Sequence, residues 1–221
     1  TKEPYVAPNV ILSLDASGSM GPALTASTKA YTLKAALKEV FNDTNLLEDG
    51  KIRLAWQTMN SYPKVNGDQW LTALGTNAAS ASTASTTANR NLMRPLDAAH
   101  RANFLTYMDN FLASGSTPTH RMVQRADAYM RAGLNKNGPW ATKPGQNNPE
   151  YLGCRRNYHI LLTDGGWNLD YQATSPVNYD GAFASPNKLP DGTVYGNNTA
   201  NNRLYRDSEG ASTVADWALK S

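Results

Sequence analysis

Asp15-Ala16-Ser17-Gly18-Ser19 sets one carboxylate and two hydroxyls at alternate positions, directly after the apolar run Val10-Ile11-Leu12-Ser13-Leu14 and before Met20-Gly21. Oxygen donors without nitrogen or sulfur suit a small hard cation such as Mg²⁺, which takes ligands at roughly 2.0 to 2.1 Å and keeps several waters. Three side chains leave such an ion short of ligands, so more oxygens must come from elsewhere. Two stretches offer them: Gly115-Ser116-Thr117-Pro118-Thr119, and Thr163-Asp164-Gly165-Gly166 after another apolar run.

Each residue also has a structural use. Ser17 and Ser19 suit turn hydrogen bonds, Thr117 suits a helix N-cap before proline, and Asp164 suits an Asx-turn. Enzymatic alternatives are weaker. A phosphoryl-transfer aspartate at Asp15 lacks a second carboxylate two residues on, where Ser17 stands, to serve as acid or base. A serine nucleophile needs a nearby base. The three histidines are His100, His120 and His159. His159 is expected in the core and His120 on a helix's first turn, with no third member of a triad. Gly18-Ser19-Met20-Gly21 lacks the Gly-Lys-Ser/Thr of a phosphate loop. A metal-dependent hydrolase is therefore the weakest reading, and no enzyme is expected.

The elements that must carry these oxygens follow from hydrophobic patterning. Residues 9 to 14 read as a fully buried strand. Leu33, Ala36, Leu37, Val40 and Phe41 repeat as the stripe of an amphipathic helix. Lys51 to Met59 gives a second strand, with Ile52, Leu54 and Trp56 on one face. Pro95 is expected to open a helix carrying Phe104, Met108, Phe111 and Leu112, and Met122, Ala126 and Met130 share a face of the next. Tyr158 to Thr163 reads as a third buried strand, and Ser208 to Leu219 as a closing helix. Strands alternating with helices predict an α/β fold, a doubly wound and mostly parallel sheet of Rossmann type flanked by helices. In such a sheet the strands' carboxyl ends share one edge, where ligands bind. Asp15, Ser17, Ser19, Thr117 and Asp164 can all reach that edge.

The 221 residues are expected to form one domain, 1–221, with loop-rich insertions at about 60–94 and 165–207. Trp70 to Leu74 resembles a short strand inside the first, and Trp167 and Asn168 open the second. No internal repeat and no membrane-spanning apolar run occurs. The net charge of +3, without a Lys/Arg block, gives no nucleic-acid footprint. Cys154 stands alone, which excludes an internal disulfide; it is expected to be a buried thiol or half of a bridge to a partner outside the chain. No signal peptide precedes Thr1, so the chain reads as cytosolic, processed or excised.

Asp-x-Ser-x-Ser after a buried strand, Gly-x-Thr before a helix and Thr-Asp-Gly after a later strand together resemble the metal-ion-dependent adhesion site of von Willebrand factor A domains. The resemblance implies Ser17, Ser19 and Thr117 as hydroxyl ligands. Asp15 and Asp164 would act directly or through water, and one position would stay open to a partner's acidic group. It implies a divalent cation, Mg²⁺ ahead of Mn²⁺ or Ca²⁺. A narrower likeness runs through His100-Arg101-Ala102-Asn103-Phe104, Gly115 to Pro118 with Arg121, Gly138-Pro139-Trp140, and Cys154-Arg155-Arg156-Asn157-Tyr158 into Asn168. These motifs resemble the N-terminal module of type IV pilus tip adhesins, the PilC/PilY family. That likeness implies an extracellular protein at the pilus tip or outer surface, exported through the periplasm. It would contact minor pilins and host-cell or abiotic surfaces and support twitching motility. The family's C-terminal β-propeller has no counterpart here, so an N-terminal fragment is expected. A purely structural role in pilus-tip assembly, with the ion stabilising loops, is the alternative.

Overall fold

The computed structural model describes residues 5–23, 25–59, 74, 90–142 and 150–166, with the backbone of 187–188 and 194–195. Strand β1, Asn9–Leu14, is buried along its whole length. Parallel neighbours flank it: β2, Arg53–Thr58, pairs Leu14 with Thr58, and β4, Asn157–Leu162, pairs Leu14 with Leu162. The short β3, Arg94–Pro95, runs antiparallel to β2, giving the order β3-β2-β1-β4. Separately, β5, Asn187–Lys188, pairs antiparallel with β6, Val194–Tyr195.

Helices cover both faces of the sheet. Val10, Leu12 and Leu14 of β1 and Leu54 and Trp56 of β2 pack against α1, Lys29–Asn42, and α2, Ala98–Asp109. Trp56 meets Phe104 and Tyr107 edge-on, with centroids 5.1 and 5.8 Å apart, and Phe104 reaches Phe41 of α1. Ile11 and Ala55, on the opposite face, pack with Leu92, Met93 and with Ala126 and Tyr129 of α3, Thr119–Met130. The α/β expectation and the mostly parallel sheet hold.

Several local expectations do not. Pro95 lies in β3 rather than opening a helix; Asp97 caps α2, its Oδ1 accepting from the His100 amide at 2.8 Å. Thr117 is not the cap of α3, whose N-cap position is Pro118 and carries no side-chain cap. Ala36 and Val40 face solvent, because α1 buries only the narrower stripe of Ala30, Leu33, Leu37 and Phe41. Leu112 is exposed, since α2 has already ended at Asp109. The stretch expected as surface insertion has a buried end: Asn91, Leu92 and Met93 are core, as is Leu74, whose amide donates to Gln57 Oε1 at 3.1 Å. Strand β4 is not buried; Tyr158 and Ile160 are open because, among the described residues, β4 pairs with β1 alone. His159 shares that exposure, although its Nε2 meets Ser13 Oγ at 2.7 Å. Cys154 is exposed rather than a buried thiol. The Trp70 to Leu74 strand apart from Leu74, the second insertion beyond Gly166 apart from the β5–β6 backbone, Trp167, Asn168 and the helix at 208 to 219 lie outside the described residues. No helix among the described residues is long and apolar enough to cross a membrane.

His100 should make this core acid-sensitive. Its ring stacks obliquely beside Trp56 and its Nε2 donates to the Leu54 carbonyl at 2.8 Å. Burial, only partly offset by that bond, pushes its pKa down to about 4. The unfolded chain, with a histidine near 6.5, therefore binds the extra proton first. Stability should be full above about pH 6.5 and fall by about 1.4 kcal/mol per pH unit between there and pH 4. Urea unfolding at pH 7 and pH 5 should differ by about 2 kcal/mol, and His100→Gln should remove most of the difference.

Candidate functional site

Asp15, Ser17, Ser19 and Asp164 meet at the carboxyl edge of the parallel strands because β1 and β4 run in register and end together. Beyond Leu14 the chain turns through a short 3-10 segment, Gly18–Met20. Asp15 is fully buried at the head of this turn. Its Oδ1 accepts from the Ser17 amide at 2.9 Å, and its Oδ2 accepts from the Thr163 hydroxyl at 2.8 Å. The Asp164 amide also points at Oδ2, at 3.4 Å. The carboxylate thus fastens the turn after β1 to the loop after β4.

Ser17 is fully buried as well, and its Oγ lies 2.9 Å from Ser19 Oγ. Ser19 is exposed and donates to Asp164 Oδ1 at 3.2 Å. Asp15, Ser17, Ser19 and Asp164 therefore form one linked set across two loops. The segment bearing Thr117 joins through backbone bonds: Gly18 N donates to Gly115 O at 3.0 Å and Ser114 N to Ala16 O at 2.7 Å. Gly115 has a φ of 87°, a left-handed turn that glycine takes without strain and that brings its carbonyl back to the first loop. Thr117, half-buried, follows two residues later.

Two participants escaped the sequence reading. Thr163 looked like the end of a strand but supplies a hydroxyl to Asp15. Lys29, the first residue of α1, extends its Nζ to within 2.7 Å of Asp164 Oδ2. That ammonium holds the Asp164 carboxyl below the usual carboxylate range, with the Ser19 hydroxyl adding to the effect. The only sequence signal for Lys29 is a basic residue placed where the helix dipole disfavours it. A cleft of about 560 Å³ opens beside this corner, lined by Met20, Ser27, Lys29, Thr32, Leu33, Leu162, Thr163 and Asp164.

This donor set fits a hard divalent cation. Carboxylates and hydroxyls converge, and the Lys29 ammonium lies on Asp164 Oδ2. No three His, Cys, Asp or Glu side chains cluster among the described residues, so an ion here would depend on the serine and threonine oxygens. That composition argues against a zinc-type site, which takes nitrogen and sulfur.

Two motifs of the narrower likeness, His100 to Phe104 and Gly138 to Trp140, are structural joints. His100 and Phe104 fill the core, while Arg101 donates from Nη1 to Phe41 O at 2.7 Å and from Nη2 to Leu47 O at 2.6 Å and Asp49 at 2.7 Å. The Pro139 carbonyl binds Arg53, and Trp140 Nε1 donates to Met130 O at 3.0 Å.

Comparison with known proteins gives relatives of one kind. The chain is 34% identical over 168 residues to the type IV pilus biogenesis factor PilY1 of Pseudomonas aeruginosa strain PAK, covering 76% of this chain and 12% of that protein. The protein of the same name from P. aeruginosa strain UCBPP-PA14 is 32% identical over 170 residues, again 76% of this chain and 12% of the relative. The chain thus spans about an eighth of the length of the curated relatives it matches. No family model and no solved structure matches it.

Proposed function

We propose that residues 1–221 form a von Willebrand factor A-like domain that acts as a divalent-cation-dependent binding module of a type IV pilus. The observation that carries the metal reading is the convergence of Asp15, Ser17, Ser19 and Asp164, with the Thr117 segment pinned beside them, on one edge of a parallel sheet. The pilus reading is supported by the relatives named as pilus biogenesis factors and by the motifs from His100 to Asn168. In this reading Ser17, Ser19 and Thr117 hold the ion through hydroxyls, and Asp15 and Asp164 supply its negative charge directly or through water. Mg²⁺ is the favoured ion, ahead of Mn²⁺ and Ca²⁺. The bound ion offers a partner's carboxylate a fixed positive centre, so recognition needs no bond-making chemistry. The module then works outside the cell at the pilus tip, engaging minor pilins and a host-cell or abiotic surface, and supports twitching motility.

A second reading, in which the ion only stabilises the loops during pilus-tip assembly, is favoured by one observation. Those loops are already tied by Thr163 to Asp15 and by Ser19 to Asp164, so an ion would strengthen an existing joint. Calorimetry with Mg²⁺, Mn²⁺ and Ca²⁺ tests the site itself; absence of any binding heat removes both readings. Surface adhesion and minor-pilin pull-down with and without chelator separate them. Adhesion lost while the pull-down persists is the expected result; both lost together favours the structural role.

A further inference from the structure

We infer that Lys29 is a tethered cation that holds Asp164 when the site lacks its ion and competes with the ion for that carboxylate. The inference rests on the metal reading of Asp15, Ser17, Ser19, Thr117 and Asp164, and assigns a residue outside that set the task of tuning it.

Lys29 Nζ and the Asp164 carboxylate are 2.7 Å apart although 135 positions separate them in the chain. The pair sits at one end of a continuous polar line: Lys29 to Asp164 Oδ2, Asp164 Oδ1 to Ser19, Ser19 to Ser17. The Asp164 side chain is 10% exposed and takes a second hydrogen bond from Ser19, whereas that of Lys29 is 61% exposed. The carboxylate is therefore fixed in place while the ammonium has open solvent to move into. Lys29 also stands at the positive end of the α1 dipole, an unfavourable place for an ammonium without a carboxylate nearby.

Two cations cannot both press on Asp164 without repelling each other, and the ion carries twice the charge. When a divalent ion takes Asp164, Lys29 loses its partner and swings towards solvent, remaining at the mouth of the cleft that it lines with Thr32 and Met20. Ion binding thus includes the cost of breaking an exposed ion pair. Such pairs are individually weak, so Lys29 tunes the affinity rather than abolishing it.

Calorimetric titration of Mg²⁺ into wild type, Lys29→Met and Lys29→Arg provides the test. Lys29→Met should bind roughly two- to fivefold more tightly, and Lys29→Arg should stay near wild type. A second readout follows the lysine directly: brief acylation of surface amines, mapped by mass spectrometry, should modify Lys29 faster once Mg²⁺ is added to wild type. Binding by Lys29→Met alone would support the inference in its strongest form. If wild type binds Mg²⁺ and Lys29→Met binds no more tightly, or if acylation of Lys29 ignores the ion, the competitor role is overturned and the metal site stands. If neither wild type nor Lys29→Met binds Mg²⁺, both the site and the role are overturned.

Discussion

Asp15→Ala should abolish measurable Mg²⁺ binding, weakening it at least a hundredfold, about 2.7 kcal/mol. Asp15 carries one of the two negative charges in the oxygen set, and it is the buried one. Its carboxylate also organises its neighbours, accepting from Ser17 N and Thr163 Oγ1 and thereby setting the loop that presents Asp164. Alanine removes the charge and leaves those donors facing a small void, so stability without ion should also fall, by about 1–3 kcal/mol. Asp15→Asn separates the two effects. An amide of the same shape keeps one oxygen for the Ser17 amide, so most stability should return while the ion remains lost. Titration calorimetry and urea unfolding in chelator measure the two quantities independently. Full Mg²⁺ affinity in Asp15→Asn would remove Asp15 from the set of charges that hold the ion.

How legible this corner was from the sequence depended on the range of the contact. The alternation of Asp15, Ser17 and Ser19 is visible because five consecutive residues make one turn, and the apolar run before it announces the strand that delivers it. Asp164 was found by the same logic at the end of β4. Lys29 was not, because its partner is set by the parallel register of β1 with β4 and by the entry of α1, neither of which a local pattern encodes. Thr163 was passed over for a similar reason: its hydroxyl matters only once Asp15 is beside it. Burial was misjudged where neighbours decide it. Tyr158 and Ile160 belong to an apolar run like that of β1, yet β1 has a described strand on each side and β4 on one side alone. Pro95 satisfied the rule for a helix start, but pairing of β3 with β2 overrode it, and the true start lay at Asp97, a good cap two residues on.

The same limits hid Arg53, where the largest loss of stability is expected. Arg53 opens β2 and is almost wholly buried, 1% exposed. Its Nη1 donates to Asn9 Oδ1 at 2.8 Å and to Pro139 O at 2.6 Å, and its Nη2 to Ala141 O at 2.7 Å. All three bonds end on neutral oxygens. Burial, with repulsion from Arg155, pushes its pKa down to about 10, which still leaves it charged at neutral pH. The guanidinium therefore serves as a rivet: its planar fork gathers two carbonyls of the 139–141 loop onto the amino ends of β1 and β2. Arg53→Ala should cost about 3–5 kcal/mol, because it empties a large buried volume and strands three acceptors. Arg53→Met fills much of that volume and sheds the cost of burying a charge, so it should lose less, about 1–3 kcal/mol. Arg53→Lys keeps the charge but cannot span the fork, and should fall between them. Urea unfolding orders the three; a loss below about 1 kcal/mol for Arg53→Ala would show that the loop closes without it. Because Arg53 lies at the opposite end of the strands from Asp15 and Asp164, Arg53→Met should keep its Mg²⁺ affinity while folded. Stability would then fall with ion binding kept in Arg53→Met, and ion binding would be lost with most stability kept in Asp15→Asn, as the proposed separation of the fold's anchor from the ion site requires.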